Sequence, residues 1–306
     1  MTLRLGTRGS ALALAQARSV ADAMIGVEVE IVPMRTEGDR LADARLAVVG
    51  GKGLFVRDIE EALLRGDIDL AAHSLKDLPA EPPAGLVLAA FPPREDARDV
   101  LVARRPFTLA TLPEGARVGT SSPRRRALLL AERPDLRVGP IRGNVDTRLR
   151  KLLTEEWDAV VLAAAGLLRL GLAPEHVEAL DPERFVPAVG QGIIAVEARA
   201  DDRRTLTHLE AVDDAATHTC ARAERAYLAR LGASCNTPMA AHARLDGGAL
   251  RMTAVVASED GRQVLRTSGT APAAAAEALG RELADGLLAR GAAGITPLSP
   301  VGTSTR

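Results

Sequence analysis

Lys76 and Asp77 stand side by side in the run His73-Ser74-Leu75-Lys76-Asp77-Leu78-Pro79, directly after the apolar stretch Ile68 to Ala72. At a strand terminus such a pair can hold an anion and steady positive charge that develops during a reaction. An aspartate turn before proline is the plainer reading of the same residues, and His73 reads as structural. Two further runs concentrate arginine: Thr120-Ser121-Ser122-Pro123-Arg124-Arg125-Arg126 and Arg142-Gly143-Asn144-Val145-Asp146-Thr147-Arg148. Each follows a short apolar segment and opens a helix, with Ser122 or Asn144 as cap and Pro123 in the first helical position. Free amides at a helix start, reinforced by guanidinium groups, form an anion site. A capped surface helix with solvated charges accounts equally well for either run alone. Their recurrence after strands favours a polyanionic ligand at strand carboxyl ends.

Two more segments bear on chemistry. Gly50-Gly51-Lys52-Gly53-Leu54-Phe55 lacks the spacing of a phosphate loop, and neither Ser nor Thr follows Lys52. It reads as a glycine loop carrying one cation rather than a nucleotide site. Cys235 lies in the small-residue loop Leu231 to Pro238. A lone cysteine is either an inert small hydrophobe or a covalent attachment point or nucleophile. Cys220 falls in a helical pattern and reads as structural.

The elements that must position these residues alternate. Leu3–Leu5, Val27–Val32 and Ile68–Ala72 read as strands, separated by helices over Ala11–Met24 and Arg57–Arg65. A second series runs from Val100–Ala103 through Arg117–Gly119, Pro123–Glu132, Val138–Ile141, Val145–Leu153 and Ala159–Ala163. Both series point to α/β layers with a largely parallel sheet. The proline-containing stretches Phe91-Pro92-Pro93 and Phe185-Val186-Pro187 bracket the second series, and Ile193 to Glu197 returns as a strand to the first. The expected organisation is a discontinuous first domain (1–93 and 193–213) and an inserted second domain (98–187). A small α+β third domain with an antiparallel sheet covers 216–306, with Asp260-Gly261 at a hairpin turn.

Composition narrows the classes. The chain has 306 residues, 39 Lys plus Arg and 40 Asp plus Glu, so its net charge of -1 gives no chain-wide basic field for nucleic acid. A local basic cleft remains compatible with that balance. Two cysteines and five scattered histidines provide neither a disulfide framework nor a recognisable metal motif, so no metal is expected. No signal-type N-terminus and no apolar run of about 20 residues is present, so a cytoplasmic protein without membrane contact is expected.

Taken in order, Gly6-Thr7-Arg8-Gly9-Ser10, Gly50 to Phe55, His73 to Pro79, Gly119 to Arg125 and Arg142 to Arg148 resemble the porphobilinogen deaminase (hydroxymethylbilane synthase) family. The likeness continues through Ala165-Gly166-Leu167-Leu168-Arg169, Pro187-Ala188-Val189-Gly190-Gln191-Gly192 and the Cys235 loop. The resemblance implies two doubly wound domains like those of type II periplasmic binding proteins, with a cleft between them, and a third domain carrying the cofactor cysteine. It implies a transferase of porphyrin and heme biosynthesis that condenses four porphobilinogen molecules head to tail with loss of ammonia. The primer is a dipyrromethane cofactor held as a thioether on Cys235, and linear hydroxymethylbilane is released by water.

By the same resemblance Asp77 is the central catalytic carboxylate and Arg8 assists proton transfer. Cofactor contacts fall to Lys76, Asp77, Ser122, Arg124, Arg125, Arg142 and Arg148, and substrate contacts to Arg8, Ser10, Arg142, Arg148, Arg169 and Gln191. Lys52 and Phe55 belong to a loop covering the cleft. Family precedent favours a monomer. The chain departs from the family pattern at Val48, Ala11, Ala233-Ser234 and Leu168. A non-enzymatic two-lobed anion-binding module would explain the arginines and the crossings, but not Asp77 beside Lys76 or the Cys235 loop.

Overall fold

Two five-stranded sheets with the same strand order hold most of the chain, as seen in a computed structural model that describes residues 2–34, 56–233 and 237–299. The chain falls into two compact units, Met1–Glu95 with Ile193–Ala221 and Asp96–Gly192 with Arg222–Arg306.

In the first unit, β1 (Thr2–Arg8) leads into α1 (Ala11–Ala23), whose start is capped by Ser10 Oγ accepting from Ala13 N. β2 (Glu28–Met34) and β3 (Leu70–Ser74) both run parallel to β1, with α2 (Arg57–Arg65) packed before β3. Period-two alternation divides β3 between two cores. Leu70 and Ala72 join Leu3, Leu5, Ala17 and Val20 beneath α1, and Ala71 joins Ile59, Ala62 and Leu63 of α2. A 3-10 turn (Leu75–Asp77) and β4 (Leu86–Ala90) follow.

The second unit opens with β5 (Asp99–Ala103) and continues through β6 (Arg117–Gly119), α3 (Pro123–Glu132), β7 (Arg137–Gly139) and α4 (Val145–Thr154). β8 (Ala159–Ala163), α5 (Ala164–Arg169) and β9 (Val177–Ala179) complete the sheet, in the order β7-β6-β8-β5-β9. β6, β7 and β8 are parallel, while β5 is antiparallel to both neighbours. β10 (Ile194–Arg199) plays the same part in the first unit, whose order is β2-β1-β3-β10-β4 with β10 antiparallel to β3 and β4. Each sheet is therefore a parallel core flanked by one reversed strand, where the sequence suggested only a largely parallel layer.

After α6 (Arg203–Glu210) and α7 (Ala215–Leu231) comes an antiparallel sheet of β11 (Met239–Asp246), β12 (Ala249–Ala257) and β13 (Val264–Pro272). α8 (Ala276–Ala289) and α9 (Ala292–Ile295) end the described chain. This small sheet shares a core with the second unit: Ala240 and Val255 lie in one apolar cluster with Leu101, Val118, Leu129 and Phe185. Gly261, at φ 71°, seats its hairpin so closely that a Cβ there would stand 2.4 Å from the Ala127 carbonyl of α3. No helix among the described residues is long and apolar enough to cross a membrane.

Candidate active site

Register places the chemistry of the first unit. β1 and β3 are parallel neighbours, with Leu5 opposite Leu70 and Gly6 opposite Ala71. Their carboxyl ends therefore deliver Arg8 and Ser10 from one strand, and Lys76 and Asp77 from the next. Ligands of open α/β sheets gather at such ends. Lys76 and Asp77 are half-buried on the 3-10 turn, which is anchored on both sides. Leu75 N donates to Ile193 O at 3.0 Å, and Gln16 Nε2 donates to Ser74 Oγ at 2.8 Å. Ser10 spends its acceptor on the helix cap but keeps an O–H to donate.

The arginine runs of the second unit lie at two helix starts. Ser122 caps α3, accepting from Arg125 N, with Pro123 in the first helical turn. Asn144 occupies the cap position of α4, where Gly143 at φ 112° turns the chain, a conformation natural to glycine. Arg148 is half-buried, and its Nε donates to Gly143 O at 2.8 Å. Burial, and then the charge of Arg125, hold the Arg148 guanidinium below its ordinary value. Arg142 is exposed beside it. Arg169 ends α5 and donates from Nη2 to Gly192 O at 2.7 Å.

Arg124 and Arg125, expected on cofactor carboxylates, are 4% and 6% exposed and both bond Asp99. Arg124 Nη1 donates to Asp99 Oδ2 at 2.6 Å and to Val186 O at 2.8 Å. Arg125 donates to Asp99 Oδ1 from Nε at 3.0 Å and Nη2 at 2.7 Å, and to Val161 O from Nη1. Gln191 is likewise fully buried, its amide donating to Ala97 O at 2.7 Å and Asp99 Oδ1 at 2.9 Å, so that it fastens the return segment. Burial opposes the charge on Asp99, but Arg124 and Arg125 outweigh it and hold the carboxyl well below the usual carboxylate range.

The family model for the porphobilinogen deaminase dipyromethane cofactor binding domain matches residues 3–207, and that for the C-terminal domain matches residues 218–289. The chain belongs to the porphobilinogen deaminase family. It is 51% identical over 294 residues to the porphobilinogen deaminase of Syntrophotalea carbinolica, covering 95% of this chain and 93% of that one. Identity to the Roseiflexus sp. (strain RS-1) enzyme is 50% over 294 residues, covering 95% and 97% of the two chains. Among solved structures it is similar to the methionine binding protein MetQ, with 15% identity and a TM-score of 0.44 over 69% of this chain and 89% of that one.

Three of the expected site residues, Lys52, Phe55 and Cys235, lie outside the described residues, as does Val48. Three acids escaped the sequence reading: Asp99, Glu197 and Glu60. For the first two a signal existed, since an acid bordering or interrupting an apolar strand run is rarely buried without a partner. Asp99 precedes Val100–Ala103, and Glu197 follows Ile193–Val196.

Proposed function

We propose that this chain condenses four porphobilinogen molecules head to tail, releasing ammonia at each step, on a dipyrromethane cofactor joined through a thioether to Cys235. The observation that carries the reading is Arg148: a half-buried guanidinium at a helix start, pressed on by Arg125, with no carboxylate partner in ion-pair range among the described residues. Such a group is stabilised by an anion. Cofactor and substrate both carry acetate and propionate side chains, so the donors present fit them. When bound, the cofactor supplies the nucleophilic pyrrole carbon to which substrate units are added.

The chain's own residues do the remaining work. Arg142, Arg148 and Arg169 neutralise side-chain carboxylates, with Ser122 donating its hydroxyl at the α3 start. Lys76 and Ser10 do the same at the strand ends of the first unit. Arg8 holds substrate and supports proton transfer to the leaving amine. Asp77 accepts pyrrole N–H hydrogen bonds and stabilises the cation left on the substrate methylene when its carbon–nitrogen bond breaks. It then steadies the ring while carbon–carbon bond formation expels the α-carbon proton. Lys52 and Phe55 serve as a covering loop. The three-domain division at 1–93 with 193–213, 98–187 and 216–306 accompanies this reading, as does a cytoplasmic monomer that binds no nucleic acid.

Intact mass spectrometry tests the tether. The active protein should exceed its sequence mass by two linked pyrrole units, and Cys235→Ser should lose that increment while Cys220→Ser keeps it. Asp77→Ala should abolish turnover with an unchanged circular dichroism spectrum. An active protein of bare-chain mass would falsify the attachment, and near-normal turnover by Asp77→Ala would remove that residue from its role.

A further inference from the structure

The reaction as described leaves one buried charged cluster unused. On the face of the first sheet covered by α2, His73 of β3 and Glu197 of β10 approach to 3.3 Å between Nε2 and Oε2. Glu197 is fully buried and His73 is 7% exposed. Among the described residues, neither Glu197 oxygen, nor His73 Nε2, has a hydrogen-bond partner. Glu60 of α2 faces the pair: burial, and then the charge of Glu197, push its carboxyl above the ordinary value, while His73 and Arg57 oppose the shift. A buried carboxyl and imidazole with so few supporting hydrogen bonds contribute little to stability, and an apolar pair of similar volume serves as well or better. Their presence calls for another reason.

Position supplies one. In the β3–β10 ladder Ala195 stands opposite His73 and Glu197 opposite Ala71, so the pair bridges the two strands diagonally. Two residues beyond His73 the ladder ends with Leu75 N bonded to Ile193 O, and the Lys76–Asp77 turn begins. At strand and 3-10 rises, Asp77 lies about 10 Å along the chain from His73. The opposite face of the same strand end is held by Ser74 and Gln16. A polar contact on one face and a hydrogen-bonded pair on the other restrain the strand end from both sides, which apolar packing does less specifically.

We infer that His73 and Glu197 are positioning residues for catalysis: their buried pair, faced by Glu60, sets the aim of the Lys76–Asp77 turn at a cost in stability. The inference rests on the catalytic reading of Asp77 given above. The test compares the full chain, carrying its cofactor, with the double variant His73→Leu/Glu197→Leu and with Asp77→Asn. A second double variant, His73→Gln/Glu197→Gln, keeps polar shape without charge.

The leucine pair should melt at or above the parent temperature and retain the two-pyrrole mass. Its kcat should fall about 10- to 100-fold, the scale of a catalytic group misplaced by about 1 Å, with KM changed less than about twofold. The glutamine pair should lose kcat in the same direction. A merely structural pair would lower the melting temperature and leave kcat alone. Parent kcat in both double variants, with Asp77→Asn inactive, overturns the positioning role alone. Loss of the two-pyrrole mass from the leucine pair overturns it too, because the pair would then serve cofactor loading. Turnover by Asp77→Asn instead overturns the catalytic reading on which the inference stands.

Discussion

Glu197 and Asp99 each sit on the one antiparallel strand of a five-stranded sheet, and both are fully buried. Their surroundings are opposite. Asp99 accepts from Arg124, Arg125 and Gln191 at 2.6 to 3.0 Å. Glu197 has a single imidazole at 3.3 Å and a second acid, Glu60, nearby. The second unit therefore gathers excess positive charge around one acid, and the first gathers acids around one histidine. Four hydrogen bonds onto the Asp99 carboxylate make its network a lock that joins the start of β5, the first turn of α3 and the Gln191 return segment. The sparse Glu197 pair restrains a strand end through a single close polar contact. Similar topologies thus place a buried acid on the reversed strand and use it differently, according to what lies at the neighbouring strand ends.

The largest contrast should appear when each acid is removed. Asp99→Ala leaves two buried guanidinium groups that cannot shed their protons, and the expected loss is about 3–5 kcal/mol. Glu197→Ala leaves one buried imidazole without its polar contact, and the expected loss is about 1–3 kcal/mol. Urea unfolding of the two variants against the parent measures both. Equal losses, or a larger one for Glu197→Ala, would erase the distinction between lock and aim.

Much of this arrangement was legible in the sequence where local signals were strong. Ser10, Ser122 and Pro123 mark helix starts that the structure places at Ala11 and Pro123. The strand Ala159–Ala163 and the helices Arg57–Arg65 and Pro123–Glu132 have the expected ends. β11 was missed because its Met239-Ala240-Ala241-His242-Ala243 run has little of the β-branched content that marks strands. β9, three residues long, is held by pairing with β5 rather than by its own pattern. The inward turn of Arg124 and Arg125 was beyond local reading, because it depends on Asp99, more than 20 residues away, meeting them in three dimensions. Sequence marked the arginines as anion binders, and Asp99 is one anion that they hold.

A smaller effect sharpens the excess of positive charge in the second unit. Arg148 is pressed by burial and by Arg125, so its removal should relieve strain in protein that lacks the cofactor. In a Cys235→Ser background, Arg148→Met should raise stability by about 0.5–1 kcal/mol, kept small because solvent screens a half-exposed group. With Cys235 intact, the same substitution should lower the fraction of molecules carrying the two-pyrrole mass. A destabilised Arg148→Met would mean that the guanidinium serves the fold and not the anion.

Stability should also depend on pH, and its two limbs belong to different units. The Asp99 carboxyl is held below its ordinary value, so the native state binds fewer protons there than the unfolded chain. Its contribution is complete above the unfolded value of about 3.9 and is lost as pH falls toward the native one. Glu60 is shifted upward, chiefly by burial and then by Glu197. Its contribution has the other sign: complete below the unfolded value of about 4.3, and lost as pH rises through the native one. Acidification below pH 4 should therefore weaken the second unit through Asp99, while the rise from about pH 4 toward neutrality should weaken the first through Glu60. Urea midpoints measured across this range should show Asp99→Asn flattening only the acid limb and Glu60→Gln flattening only the limb above it. If Glu60→Gln leaves the upper limb unchanged, the acids around His73 do not share a proton economy, and the contrast between the two sheets reduces to the Asp99 lock alone.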